Sequence, residues 1–197
     1  MQPGRIILLN GASSAGKSTL ARALQAQLPT PFWHWSIDHV LAAGVLPRER
    51  IASGEFDWKA MRPAFFDGFH RSLPALAAGN DLVVEHIVET AGWMRQLVDL
   101  LGALDVFYVG VRCPVPELER RERARGDRRP GSAREDDAST HGFGEYDFEV
   151  HTTTATPEEL AADVLRAWRA RRGPGAFARM AARQLRRGLP GGDGDAP

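Results

Sequence analysis

Short apolar runs alternate with helical patterns along most of the chain. The run Arg5–Asn10 holds four consecutive large apolar residues and meets a glycine, which predicts a strand buried on both faces. Leucines at four-residue spacing follow in Lys17–Leu28, and Pro29 ends that pattern, so we expect a helix there. Four further runs predict strands: Phe32–Ile37, Leu82–Val88, Asp105–Arg112 and Tyr146–Thr152.

Helical patterns fill most of the intervals between these strands. They cover Asp57–Ala78, Trp93–Leu101, Pro116–Arg125 and Pro157–Arg171. The first of these helices should be interrupted near Pro63 and Pro74, because proline removes a backbone donor. Residues 128–144 are polar, contain glycine and show no periodicity, which predicts a loop. The alternation predicts an α/β fold of three layers, a mostly parallel five-stranded sheet with helices on both faces.

The charge of the chain is divided unevenly. Its 197 residues contain 25 basic and 25 acidic side chains, so its formal net charge is zero. Residues 1–163, however, hold 17 basic and 23 acidic side chains, whereas residues 164–197 hold eight basic and two acidic ones. An acidic body argues against nucleic acid as the main ligand, because a phosphate backbone needs a positive footprint. The single cysteine, the lack of a signal-peptide pattern and the lack of a membrane-length apolar run lead us to expect a cytoplasmic protein.

The basic C-terminal segment begins where the predicted domain ends. We expect a domain over residues 1–172 and a Gly/Pro/Arg-rich tail over 173–197, outside the packed domain. Within this tail, residues 176–187 place apolar side chains at helical spacing beside arginines, which is typical of an amphipathic helix. Such a helix could bind a membrane surface or a partner, or it could dock on its own acidic domain.

The turn after the first strand carries the clearest motif. Residues 11–18 read Gly-Ala-Ser-Ser-Ala-Gly-Lys-Ser, the G-x-x-x-x-G-K-[ST] pattern of a phosphate-binding loop (P-loop) between a strand and a helix. Its backbone N–H groups and the following helix N-terminus would cradle phosphates, Lys17 would reach the β- and γ-phosphates, and the Ser18 hydroxyl would ligate Mg²⁺. The motif predicts ATP contacts along the loop: Gly11, Ala12, Ser13, Ser14, Ala15, Gly16, Lys17, Ser18 and Thr19. A glycine turn that binds nothing is the alternative.

A carboxylate follows the second strand. Asp38 comes directly after Phe32–Ile37 and should emerge at the same sheet edge as the P-loop. There it could accept the proton of a substrate hydroxyl that attacks the γ-phosphate. The alternative is an N-cap for a helix that begins at His39.

Two adjacent polar residues end the third strand. Glu85 stands where P-loop proteins place the carboxylate that holds Mg²⁺, and it could also contact substrate. His86 could contact substrate or be a hydrogen-bonded core histidine. Trp93 belongs to a group of aromatic residues expected either in a substrate pocket wall or in the core.

Arginines crowd the helix Pro116–Arg125 and the loop after it. Those interleaved with glutamates are typical of a solvated helix surface. Arg125 and Arg128 flank Gly126-Asp127 at the start of a lid expected over residues 123–144, where guanidinium groups could close on the transferring phosphoryl group.

The motifs together resemble the chloramphenicol phosphotransferase family of small P-loop kinases. The matching pieces run in order over residues 5–170: the P-loop with its strand, Asp38, Tyr108–Cys113, Ala124–Arg128, His141 and Tyr146–Val150. The resemblance implies a nucleoside-monophosphate-kinase-like P-loop kinase fold with ATP on the loop. It also implies Asp38 as general base, Arg125 and Arg128 in the lid, and His151 and Thr152 near the adenine. Glu85 and His86 stand where the family pattern would have two aspartates.

These observations predict an ATP-dependent O-phosphotransferase that moves the γ-phosphate to a hydroxyl of a small molecule, with an antibiotic of the chloramphenicol type as one acceptor. Guanine-binding and transporter signatures are missing, and the chain is too short for a helicase core. One alternative is a metabolite kinase for a nucleoside, sugar or sugar-nucleotide on the same fold. Another is a nucleotide-dependent binding module whose basic tail recruits a partner, although such a module needs no base for an alcohol.

Overall fold

A computed structural model describes residues 3–126, 129 and 131–188 of the chain. The sheet has five strands, and every strand pair in it is parallel. The strands are β1 (Arg5–Asn10), β2 (Phe32–Ser36), β3 (Asp81–His86), β4 (Asp105–Arg112) and β5 (Phe148–His151), in the spatial order β2-β3-β1-β4-β5. The predicted five-stranded parallel α/β fold is therefore confirmed, and the strands start and end within a few residues of the predicted positions.

Nine helices are seen in the described residues, and they cover both faces of the sheet. They are α1 (Lys17–Gln27), α2 (Ile37–Ala42), α3 (Arg48–Ala52), α4 (Trp58–Ala77), α5 (Ala91–Leu101), α6 (Val115–Arg125), α7 (Ser132–Thr140), α8 (Pro157–Ala170) and α9 (Ala176–Gly188). In β1, Ile7 and Leu9 face a core shared with α1 and α8, while Ile6 and Leu8 face a core shared with α4, α5 and α9. No helix in the part of the chain that the structure describes is long and apolar enough to cross a membrane.

The long helix α4 runs without a break through both of its prolines. The expected interruption near Pro63 and Pro74 does not occur. One face of α4 buries Phe66, Phe69 and Leu73 together with His70 and Ala77. This packing outweighs the two backbone hydrogen bonds that the prolines cannot make, because tertiary burial supplies most of the stability of a helix in a protein.

The predicted loop at 128–144 contains a helix instead. Helix α7 occupies Ser132–Thr140, and only Ala133 and Thr140 of its residues are buried, so the sequence carries little apolar periodicity. Its start is held by Glu122 of α6, whose carboxylate accepts from the backbone N–H groups of Gly131 (2.7 Å) and Ala133 (2.8 Å) and from the Ser132 hydroxyl (2.6 Å). A capping side chain from another helix supplies what local sequence does not.

The basic C-terminal segment also departs from its predicted place. Helix α9 packs against β4 and α5, and Phe177 is fully buried in the core. The packed domain therefore extends beyond residue 172 to the end of α9, which supports the docked alternative. Acidic residues of the body hold the helix: Asp147 Oδ1 accepts from the Ala176 N–H (2.7 Å), and Glu145 pairs with Arg179 and Arg183 at 2.8 and 3.0 Å. The opposite charges of the two regions meet at this contact.

We expect Phe177→Ala to lower the free energy of unfolding by about 3–5 kcal/mol, because it empties a fully buried aromatic site. Leu185 lies on the same helix but is 72% exposed, so Leu185→Ala should change that free energy by less than about 0.5 kcal/mol. Urea unfolding of both variants measures the difference. Equal stability of Phe177→Ala and the parent would show that α9 does not dock in solution.

Candidate functional site

The P-loop curls tightly between β1 and α1. Ser14 (φ 61°) and Gly16 (φ 95°) adopt left-handed backbone conformations, which turn successive N–H groups toward one side. A Cβ on Gly11 would lie 2.4 Å from the Val111 carbonyl oxygen, so only glycine fits at this position. The buried Lys17 ammonium donates to the carbonyl oxygens of Gly11 (2.8 Å) and Ala12 (2.7 Å), and its positive charge therefore lies within the loop.

An acidic side chain of α7 contacts the P-loop directly. Asp136 Oδ2 accepts a hydrogen bond from the backbone N–H of Ser13 at 3.1 Å. The far end of α7 is tied to β1, because Asn10 Nδ2 donates to the Thr140 carbonyl oxygen at 3.0 Å. Asp136 has no role that could be expected from the sequence, because nothing in the polar segment indicates that it folds back over the loop. A carboxylate of α7 therefore accepts the hydrogen bond of a P-loop N–H group that is suited to bind a phosphate oxygen.

A carboxylate near the carboxyl end of β3 and a hydroxyl of the first turn of α1 lie side by side. Glu85 pairs in register with Leu9 of β1, and its Oε2 accepts from the Ser18 hydroxyl at 2.8 Å. The other carboxylate oxygen contacts His34 Nε2 of β2. Burial alone would raise the pKa of Glu85, but the hydrogen bonds from His34 and Ser18 and the charge of Lys17 outweigh it, so the pKa lies below its ordinary value. Glu85 is thus held ionised next to the P-loop. His34 is a partner that no pattern in the sequence indicates, because β2 and β3 meet only in the fold.

Asp38 lies in the first turn of α2 and lines the same cavity as the P-loop. It is not the helix N-cap: that position belongs to Ser36, whose hydroxyl oxygen accepts from the His39 N–H at 3.1 Å. The alternative N-cap interpretation of Asp38 is therefore wrong. Because β2 ends beside β3, Asp38 and Glu85 come to the same end of the sheet.

A cavity of about 950 Å³ joins these groups. Its first part, which we call the nucleotide end, combines the P-loop with α6 and the segment after β5. Its residues include Arg120, Arg121, Arg125, Thr152, Ala155 and Pro157. Its second part, the acceptor end, lies between β3, α2 and α4, and its residues include Ile37, Asp38, Leu41, Trp58, Arg62, Phe66, Glu85, His86 and Glu89.

Residues at the nucleotide end only partly match the expectations. Arg125 and Thr152 line the cavity, whereas His151 is exposed at the end of β5 and is not among its lining residues. Arg128 lies outside the described residues. Arg121, which sequence analysis placed on a solvated surface, donates to the Thr152 hydroxyl and carbonyl oxygens, both at 3.1 Å, and lies against Gly16. The sequence shows only its i,i+4 pairing with Glu117.

At the acceptor end, an aromatic stack backs the cavity. Phe66 lines the cavity and stacks on Trp93 (4.3 Å between centroids), so Trp93 supports the wall from behind. The His86 ring lies parallel to Trp93 at 5.6 Å and is almost fully buried. Burial, followed by the charges of nearby His70, Lys17 and Arg62, holds the pKa of His86 well below its ordinary value. His86 lines the cavity and also contacts His70, so it lies at the boundary between the cavity and the core.

One basic residue of the acceptor end is already neutralised. Arg62 donates to both carboxylate oxygens of Glu89, at 2.8 and 2.6 Å, and its guanidinium lies over the Phe66 and Trp93 rings at 4.6 and 5.0 Å. Neither Arg62 nor Glu89 was singled out from the sequence, because α4 and the segment after β3 are brought together only by the fold.

Comparisons with known proteins bear on the family and the fold of the chain. Residues 4–169 match the family model described as chloramphenicol phosphotransferase-like protein, which confirms the resemblance expected from the motifs. A provisionally named O-phosphotransferase of Mycobacterium tuberculosis (strain H37Rv) is 32% identical over an alignment that covers 94% of this chain and 91% of that protein.

Solved structures of P-loop kinases share the fold. The Mycobacterium tuberculosis APS kinase, solved with AMPPNP and APS, superimposes with a TM-score of 0.62 at 19% identity and covers 86% of this chain and 100% of its own. Shikimate kinase from Acinetobacter baumannii, solved with shikimate, superimposes with a TM-score of 0.56 at 16% identity. That alignment covers 84% of this chain and 92% of the shikimate kinase chain. At these identities the likeness concerns the fold.

Proposed function

Because the chain belongs to the chloramphenicol phosphotransferase-like family, we propose that this phosphotransferase moves the γ-phosphoryl group of ATP to a hydroxyl of a small, uncharged acceptor. The observation that carries the proposal is the single cavity that the P-loop and Asp38 line from two neighbouring strand ends. A phosphate cradle and a carboxylate at a shared edge are the parts that transfer to an alcohol requires.

The residues of the P-loop supply binding and charge. Backbone N–H groups of residues 13–18 hold the phosphates, and the Lys17 ammonium stabilises the negative charge on the transferring group. Arg121 and Arg125 of α6 face the nucleotide end and add positive charge there.

The Ser18 hydroxyl and the Glu85 carboxylate fit Mg²⁺, which takes hard oxygen ligands and few of them from the protein. When bound, Mg²⁺ neutralises charge on the β- and γ-phosphates. Ser18 and Glu85 would hold it at the floor of the cavity, between the two ends.

Asp38 acts on the acceptor. Its carboxylate takes the proton of the acceptor hydroxyl, whose oxygen forms the new bond to the γ-phosphorus while the bond from that phosphorus to the β–γ bridging oxygen breaks. The products are the phosphate ester of the acceptor and ADP.

The charges of the acceptor end favour an uncharged acceptor. The charges of Arg62 and Glu89 cancel each other at that end, and Asp38 and Glu85 add two further carboxylates. A carboxylate or phosphate on the acceptor would meet repulsion there and find Arg62 already paired. The Phe66 side chain adds an apolar group to the cavity wall there, with Trp93 stacked on its ring and Arg62 over it. An uncharged aromatic alcohol, such as an antibiotic of the chloramphenicol type, fits these features better than an acidic metabolite does.

A panel of acceptors tests the proposal. The protein is incubated with ATP, Mg²⁺ and one acceptor at a time: aromatic alcohols including chloramphenicol, nucleosides, neutral sugars, and carboxylate- or phosphate-bearing alcohols. We expect acceptor-dependent ADP release with uncharged acceptors and the phosphate ester in the mass spectrum of the product. Preference for an anionic acceptor would overturn the substrate class. A slow rate of ADP release that does not change when any acceptor is added would instead favour the binding-module alternative.

A further inference from the structure

His86 is joined to three polar side chains that lie behind the cavity wall. Its Nε2 is 2.7 Å from Nε2 of His70, and Nδ1 of His70 is 2.7 Å from Oε1 of Gln96. Nε2 of Gln96 donates to Oδ1 of Asp67. These contacts connect β3, α4 and α5, and we call the four side chains Asp67, Gln96, His70 and His86 the histidine relay.

The outer end of the histidine relay fixes the direction of every hydrogen bond in it. Arg71 donates to Asp67 and holds the pKa of that carboxyl below its ordinary value, so Asp67 is a pure acceptor. Gln96 must then turn its NH₂ group to Asp67 and its oxygen to His70. An amide oxygen only accepts, so the proton of the second contact resides on Nδ1 of His70.

The direction of the hydrogen bond between His70 and His86 follows from the position of the proton on His70. His70 is fully buried, and His86 lies beside the stacked pair of Trp93 and Phe66, at 5.6 and 6.1 Å between ring centroids. Such surroundings disfavour a charged imidazole, and desolvation lowers the pKa of His70. A neutral His70 with its proton on Nδ1 has a lone pair on Nε2. His86 must therefore donate from its own Nε2, which leaves a lone pair on its Nδ1.

We propose, on the basis of the proposed function, that Nδ1 of His86 is a fixed hydrogen-bond acceptor that selects acceptor molecules with a second N–H or O–H donor. His86 lines the acceptor end together with Asp38 and Glu85, and its Nε2 is already committed to His70. One donor of the acceptor molecule, the reacting hydroxyl, faces Asp38. A second donor, an amide N–H or another hydroxyl, bonds to His86, while a flat apolar group packs along Phe66. Gln96 and His70 are positioning residues, because they set the proton on His86 without touching the ligand.

The tautomers can be measured without any substrate. In ¹⁵N-histidine-labelled protein, two-bond correlations between ring nitrogens and ring carbon-bound protons distinguish a protonated from an unprotonated nitrogen. We expect His86 protonated on Nε2 and His70 on Nδ1, with the His86 signals identified by their loss in His86→Phe. Protonation of His86 on Nδ1 would overturn the inference whether or not the protein is a kinase.

Gln96→Met tests the positioning role from a distance. It removes the oxygen that holds the His70 proton, so the two histidines can exchange donor and acceptor. With an uncharged amide-bearing alcohol from the panel as acceptor, we expect KM for that acceptor to rise about five- to tenfold and KM for ATP to stay unchanged. Gln27→Met is the matched control, since Gln27 lies on the exposed end of α1 and donates only to the Glu158 carbonyl oxygen. An unchanged acceptor KM in Gln96→Met would contradict the proposal.

A pair of acceptors completes the test. The parent protein should prefer the amide N–H acceptor to its N-methyl analogue by about tenfold in kcat/KM, and His86→Phe should lose that preference. Retention of the preference in His86→Phe would show that the second donor bonds elsewhere. If no alcohol in the panel is phosphorylated, the proposed function fails, and the selection of acceptors fails with it. The tautomer measurement then reports on the histidine relay alone.

Discussion

Lys17→Met should lower kcat/KM for phosphoryl transfer by about 10³-fold while the protein stays folded. The Lys17 ammonium is the positive charge at the centre of the P-loop, and it donates to the carbonyl oxygens of Gly11 and Ala12 at 2.8 and 2.7 Å. When phosphates enter, a charge in this place stabilises the oxygens of the transferring group. Methionine keeps most of the length of the side chain and removes the charge.

The chain offers a close control for this experiment. Lys59 is its only other lysine, and it lies exposed near the start of α4. Lys59→Met should therefore leave ADP release and the melting temperature near the parent values. Steady-state kinetics of both variants measure the contrast, and isothermal titration with a non-hydrolysable ATP analogue separates binding from chemistry. Parent-like turnover in Lys17→Met would refute the assignment of residues 11–18 as the phosphate site.

Asp38→Asn should lower kcat by about 10²–10⁴-fold and leave the affinity for ATP nearly intact, because asparagine has the same shape but takes no proton from the acceptor. Asp38 lines the acceptor end and not the P-loop itself, so nucleotide binding has no reason to depend on its charge. The expected loss is thus confined to the chemical step.

Asp99→Asn is the matched control, since Asp99 is exposed on α5 and lies outside the main cavity. Pre-steady-state quench-flow with the best acceptor of the panel measures the chemical step, and equilibrium titration measures the ATP affinity. Two results would sink the base assignment: full turnover in Asp38→Asn, or a loss of ATP affinity equal to the loss of turnover.

The parts of the fold that could be predicted are those that follow from a local motif or from the local spacing of apolar residues. The apolar run of β1, the P-loop after it and the leucine spacing of α1 define a phosphate-binding βα unit before any tertiary contact is considered. The order of elements then implied a parallel sheet, and the position of Asp38 after β2 implied its approach to the P-loop. Each of these inferences needs only neighbours in sequence.

The parts that could not be predicted depend on partners that are distant in sequence. Helix α7 begins on Glu122 of α6, and its nine residues show too few apolar side chains for a periodic signal. Asp136 reaches Ser13 across 123 positions, and His70 reaches His86 only because α4 packs against β3. Arg62 is neutralised by Glu89, and the sequence does not indicate this pairing because the two residues are 27 positions apart. Local patterns indicate where polar residues lie on an element but not which groups they meet.

The contact between Asp136 and the Ser13 N–H has a consequence for how the protein meets its nucleotide. The P-loop is already supplied with an anion by the chain itself, because Asp136 Oδ2 lies 3.1 Å from the Ser13 backbone nitrogen. Under the proposed function, the entry of a triphosphate is an exchange of one anion for another, and the displaced carboxylate belongs to a helix that Glu122 holds at its start and Asn10 at its end. ATP affinity and the position of α7 then form one equilibrium, so that a change in the anchoring of this helix alters nucleotide binding without touching the P-loop.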